Sequence, residues 1–125
     1  MSAATEIALI DAVRTPHGTF LGPLADQSAV DLGTAALDGL FERTDVDPDL
    51  IDWVGLGHAL QAGVGQVPAR QVVLEAGLPP STPATTINEA SGSGLRAIAL
   101  GVDRLLAGRR EVAVAGGMEA IWNAP

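Results

Sequence analysis

Asn88-Glu89-Ala90-Ser91-Gly92-Ser93-Gly94-Leu95-Arg96-Ala97 joins a short β-like run, Ala84 to Asn88, to a strongly periodic helix. Small residues crowd the join. Glycines there allow another backbone or a ligand to come close, because no Cβ stands in the way. The helix start behind them offers unpaired N–H groups and the positive end of a dipole. A hydroxyl at Ser91 would sit where negative charge is favoured, a place suited to a nucleophile. The competing reading makes Ser91 or Ser93 a helix cap, the commoner role of serine at a helix start. A helix dipole supplies at most about 2 kcal/mol, so a serine there still needs a general base.

Outward from this join the chain alternates strand and helix patterns. Glu6 to Val13 reads as a buried strand broken by Arg14-Thr15-Pro16-His17-Gly18. Ser28 and Asp31 have capping-box spacing, and Ala29, Leu32, Gly33, Ala36, Leu37 and Leu40 recur at helical intervals behind them. Asp47-Pro48 has the form of an N-cap with proline at the first helical position. Trp53 to Gly57 reads as a second strand, followed by the loop Gln61 to Gln66. Pro68 to Ala76 reads as a helix closed by Gly77. Ala84 to Asn88 is the third strand. Leu95, Ile98, Ala99, Val102, Leu105 and Leu106 form the cleanest helical face in the sequence, ended by Gly108. Glu111 to Ala115 reads as a fourth strand running into Gly116-Gly117. This alternation implies crossover connections: an α/β fold with a mostly parallel sheet and helices on its faces.

The 125 residues suffice for one domain with its own core, and no repeat or linker divides them. Aromatic residues make up only 3%, so Ala, Val, Leu and Ile must build that core. There is no cysteine, which excludes disulfides, thiolate metal sites and a thiol nucleophile. No apolar run reaches membrane-spanning length, and Met1-Ser2-Ala3-Ala4 lacks the basic start of a secretory signal, so the default location is cytoplasmic. Net charge is −8, and all seven basic residues are arginine. Such acidity disfavours nucleic acid, whose affinity rests on basic contacts to phosphate. Loss of every lysine beside surplus aspartate suits a high-salt cytoplasm, where salt screens self-repulsion. A GC-rich genome would also favour arginine over lysine.

Several motif classes fail on spacing. A hydrolase nucleophile elbow requires glycine two residues before and after the serine, which neither Ser91 nor Ser93 has. A P-loop needs lysine. Gly92-x-Gly94-x-x-Ala97 matches the relaxed dinucleotide fingerprint, yet the next strand closes in glycines where an acidic residue should meet a ribose. A dinucleotide-binding domain stays as an alternative. His17 and His58 are the only histidines, each readable as a loop or packing residue, and Glu89 and Glu119 are the remaining acid/base candidates.

Taken together, Ala12-Val-Arg-Thr-Pro16, Leu60 to Gln71, Asn88 to Ala97 and Gly116 to Pro125 resemble the N-terminal part of a thiolase, from about Ile7 to Pro125 and in the family's order. The resemblance implies a β-ketoacyl-CoA thiolase, which condenses two acyl-CoA molecules or cleaves a 3-ketoacyl-CoA with coenzyme A. It implies coenzyme A thioesters as substrates, no cofactor and no metal. It places the acyl-accepting nucleophile at Ser91, with the Ser91 N–H helping to hold the carbonyl oxyanion. Gly92 and Gly94 would give a pantetheine arm room to approach. The complete protein would form a dimer or tetramer, with a small accessory subunit as a further expected partner. Another member of the superfamily, such as a ketoacyl synthase, matches the flanking segments less well.

The chain departs from that pattern at three places. Ser91 replaces the usual Cys, Glu89 stands where Lys is common, and Trp122 replaces the second serine of a Gly-Met-Glu-Ser-Met-Ser segment. A serine is harder to deprotonate than a cysteine. The exchange therefore marks a serine-using subgroup, which thiolases of halophilic archaea resemble, or a non-catalytic thiolase-like binding protein. The family's activating His and second acid/base residue lie in its C-terminal half. Residues 1–125 are thus expected to be a partial N-terminal domain, a fragment without turnover of its own that leaves apolar surface and a sheet edge exposed.

Overall fold

A computed structural model describes residues 5–125 of this chain. Helix α1 spans Ala29–Arg43, strand β1 Trp53–Gly57, helix α2 Pro68–Glu75, strand β2 Ala84–Ile87, helix α3 Ser93–Leu106 and strand β3 Ala113–Gly117. The strands form one parallel sheet in the order β2-β1-β3, with Gly57 opposite Ile87 on one side and Gly117 on the other. The α/β architecture expected from the alternating pattern is the one observed.

Local chemistry starts α1. The Ser28 hydroxyl accepts from the Asp31 N–H at 3.0 Å, and the Asp31 carboxylate accepts from the Ser28 N–H at 2.8 Å, closing the capping box of α1. Asp47-Pro48 opens a single 3-10 turn, Pro48–Leu50, rather than a longer helix. Helix α2 has no side-chain cap of its own. The Thr86 hydroxyl of β2 accepts from the Ala69 N–H at 3.0 Å instead, so sheet and helix satisfy each other. Gly77, at φ +75°, ends α2 in the left-handed region that glycine enters without Cβ strain.

Side chains alternate across the sheet. Val54, Leu56 and Met118 pack with Val30, Leu37, Val72 and Val73 of α1 and α2 to form the core. Trp53 faces the other way, toward α3. A Cβ on Gly55 would overlap its ring, and Gly101 of α3 approaches it closely. The Trp53 indole N–H donates to the Thr85 hydroxyl at 3.2 Å, and the Arg104 guanidinium lies 4.7 Å from the ring centroid, a cation–π contact.

Two expectations need correction. Glu6 to Val13 is not a strand: it has no regular secondary structure and most of it is exposed, with Leu9 86% accessible. Alternating apolar residues make a strand only when a neighbour accepts the ladder, and no strand among the described residues lies beside this segment. The Asp11 carboxylate ties it to α1 by an ion pair with Arg43 at 3.0 Å. The fourth predicted strand begins two residues later, at Ala113. The Glu111 N–H is taken by the Asp52 carboxylate at 2.9 Å, which holds it off the ladder.

Helix α3 lies on the sheet through its small residues. Ser93, Ala97 and Gly101 are buried, while Leu95 (77% accessible), Ile98, Val102 and Leu106 face outward. The prominent apolar stripe is thus on the uncovered side. Glycines in the strands require small partners in the helix, and the larger aliphatic residues are left to meet something else.

Candidate active site

The C-terminal ends of β1, β2 and β3 meet the N-terminus of α3, the usual site of chemistry in open parallel sheets. Gly57 and Gly117 make the meeting possible. A Cβ on Gly57 would lie 2.7 Å from the Ser93 Cβ and closer still to the helix backbone, and one on Gly117 would lie 3.4 Å from the Gly94 Cα. The helix start therefore rests on bare strand backbone. Gly94 is half-buried at this seam beside Gly116, whereas Gly92 is exposed.

Between β2 and α3 the chain makes a tight turn. Ala90 has φ +50°, a left-handed conformation that costs an L-residue about 1–2 kcal/mol. Asn88 accepts from the Ala90 N–H at 3.0 Å and donates through its amide to the Ala59 carbonyl at 3.0 Å. Ser93, 4% accessible, accepts from the Glu89 N–H at 2.8 Å and donates to the Ala90 carbonyl at 2.6 Å. The structural serine is thus Ser93. Ser91 stands exposed at the tip, and its hydroxyl has no hydrogen-bond partner among the described residues.

The acid/base candidates are otherwise engaged. Glu89 pairs with Arg96 at 2.7 Å, and this contact raises the Arg96 pKa, through the hydrogen bond first and the charge second. Glu119 accepts from the Ala59 and Leu60 N–H groups at 2.9 and 3.1 Å. His58 is buried beside it, Nε2 3.3 Å from a Glu119 oxygen but off the line of a hydrogen bond, so both ring nitrogens lack partners among the described residues. By alternation from Gly57, whose missing Cβ faces α3, His58 points to the opposite side of the sheet. There it lines a cavity of about 240 Å³ with Leu60, Val64, Gln71, Glu75 and Asn123, and no residue of 88–97 borders that cavity. His17 lies in the unpaired, exposed segment. Trp122, half-buried in a 3-10 turn over Ile121–Asn123, packs on the core rather than at the Ser91 turn.

Among the described residues no cluster of three or more His, Cys, Asp or Glu could hold a metal ion, and no helix is long and apolar enough to cross a membrane. Residues 7–125 match the thiolase N-terminal domain. The chain belongs to the thiolase family. It is 50% identical over 115 residues to an acetyl-CoA acetyltransferase of Allochromatium vinosum, covering 92% of this chain and 29% of that protein. It is 46% identical over 120 residues to the mitochondrial acetyl-CoA acetyltransferase of Mus musculus, covering 96% of this chain and 28% of that one. A cytosolic acetyl-CoA acetyltransferase of Gibberella zeae matches all 125 residues at 44% identity over 32% of its own length. This thiolase chain thus spans less than a third of each relative.

The sequence pointed to the turn and to both serines. It did not distinguish their tasks, which depend on which hydroxyl the fold buries. Gly57 was a missed contributor, and its signal was visible: β1 and β3 both end in glycine, at the level where α3 begins.

Proposed function

We propose that this thiolase chain carries the acyl acceptor of a β-ketoacyl-CoA thiolase, with Ser91 as nucleophile. The observation that supports this most is the exposed, unengaged Ser91 hydroxyl between β2 and α3, in a turn otherwise held by Asn88 and Ser93. The Ser91 oxygen bonds to the acyl carbon of an acyl-CoA, and the thioester C–S bond breaks. Coenzyme A departs as a thiol, carrying the proton given up by the hydroxyl. The Ser91 N–H, at the positive end of α3, steadies the oxyanion formed on the way. The α-carbon of a second acyl-CoA then gives up a proton and bonds to the acyl carbon, the ester bond to Ser91 breaks, and the Ser91 oxygen regains a proton in place of the one the α-carbon lost. Gly92 and Gly94 keep the approach free of side chains.

The base for Ser91 comes from elsewhere in the complete enzyme, since His58 faces the other side of the sheet. We place the complete enzyme in a high-salt cytoplasm, as a dimer or tetramer with a small accessory subunit. The acetyltransferase names of its relatives favour acetyl-CoA as the acyl donor.

The test uses a chimera in which residues 1–125 replace the matching segment of the Allochromatium vinosum relative. Acetyl-CoA should add an acetyl group to the peptide containing Ser91, seen by mass spectrometry, and Ser91→Ala should abolish it. Condensation with no adduct at Ser91 refutes the role. A second reading, a non-catalytic thiolase-like binding protein, is favoured by the missing thiol. It predicts an inactive chimera that Ser91→Cys switches on from zero.

A further inference from the structure

We infer that Ser93 is a positioning residue for acyl transfer: its buried hydroxyl holds Ala90 in the left-handed conformation that aims Ser91 at the acyl group. This inference rests on the reading of Ser91 as nucleophile. One oxygen carries out two tasks here, accepting from the Glu89 N–H at 2.8 Å and donating to the Ala90 carbonyl at 2.6 Å. Those are the two residues that lead into Ser91. Ala90, at φ +50°, would relax toward negative φ if released, and the peptide plane joining it to Ser91 would turn with it.

The surroundings restrict what can serve as the clasp. Ser93 is 4% accessible, and its Cβ lies against β1 where only the bare Gly57 fits. A small side chain that both accepts and donates is needed, which describes serine or, more tightly, threonine. Alanine would leave the Glu89 N–H without its acceptor and the Ala90 carbonyl with only one donor, the Ser93 N–H at 3.2 Å, so the turn would lose its side-chain link. The acyl step is the one written above: the Ser91 oxygen bonds to the acyl carbon, the C–S bond breaks, and coenzyme A leaves with the proton. Ser93 exchanges no proton in it and touches neither reacting atom.

The test measures single-turnover acetylation of the chimera described above by mixing it with acetyl-CoA. Ser93→Ala should slow acetylation roughly a hundredfold, as expected for a nucleophile misplaced by about 1 Å. KM for acetyl-CoA should stay within about twofold, because the clasp does not contact substrate. Ser93→Thr should return the rate to within about tenfold of the parent, since it keeps the hydroxyl. Ala90→Gly covers the case in which Ser93→Ala fails to fold. Glycine enters the left-handed region freely and loosens the same turn with every hydrogen bond retained, so acetylation should fall roughly tenfold while the melting temperature changes little. Acetylation within about threefold of the parent in either Ser93→Ala or Ala90→Gly overturns the inference. So does a Ser93→Thr rate as low as that of Ser93→Ala. The Ser91→Ala control separates the two readings: adduct formation that survives it removes the nucleophile itself, whereas its loss beside a fast Ser93→Ala removes only the clasp.

Discussion

Gly57 and Ser93 come so close that a Cβ on the glycine would lie 2.7 Å from the serine Cβ. The obstacle is helix backbone as well as side chain, so it cannot swing aside. Gly57→Ala should therefore push the start of α3 off the sheet and cost about 3 kcal/mol, the upper end of ordinary overpacking. Urea denaturation of the complete protein measures this, and a cost under about 1 kcal/mol would show that the seam has slack.

The capping box of α1 should impose a pH dependence. The Asp31 pKa is lowered, by the Ser28 N–H first and the Ser28 hydroxyl second. A depressed folded pKa means stability that is present above the ordinary carboxylate pKa and lost as pH falls through the lowered one. Asp31→Ala should thus destabilise at pH 7 and make progressively less difference below about pH 4. Ser28→Ala should cost about 1 kcal/mol at pH 7. Denaturation midpoints across pH 3 to 7 check both, and an Asp31→Ala penalty that grows on acidification would contradict the sign.

Glu119 holds the loop after β1 by accepting from the Ala59 and Leu60 N–H groups. Glu119→Ala leaves two donors unpaired and should cost about 2 kcal/mol, and Glu119→Gln, which keeps one acceptor oxygen, less than half of that. His58→Gln should leave the pH profile of acyl transfer unchanged, because His58 is on the far side of the sheet from α3. A profile that moves with His58→Gln would argue against that separation.

The outward stripe of Leu95, Ile98, Val102 and Leu106 is a liability in the chain by itself. Ile98→Asp should reduce self-association of the 125-residue chain, measured by sedimentation, without loss of helical circular dichroism. Equal association in the variant would locate the contact elsewhere.

With net charge −8 and no lysine, the chain repels itself in dilute buffer. Its denaturation midpoint should rise as KCl is raised from about 0.1 M, where the Debye length is about 10 Å, to about 1 M, where it is about 3 Å. A midpoint that falls or stays level would weaken the high-salt reading.

Sequence by itself was enough for the strand–helix alternation, the Ser28–Asp31 box, the helix-ending glycines at 77 and 108, and the turn from Asn88 to Ala97. Each is a local matter, settled by dihedral preferences and hydrogen bonds within a few residues. Tertiary structure decided the rest. Glu6 to Val13 has strand composition but no neighbouring ladder among the described residues. The apolar stripe of α3 faces outward because Gly57, Gly117 and Trp53 leave room only for Ser93, Ala97 and Gly101 beneath the helix. Of two serines two residues apart, one is a buried clasp and the other an exposed hydroxyl. That assignment depends on which face of α3 meets the sheet, and this is set by contacts between residues distant in the chain.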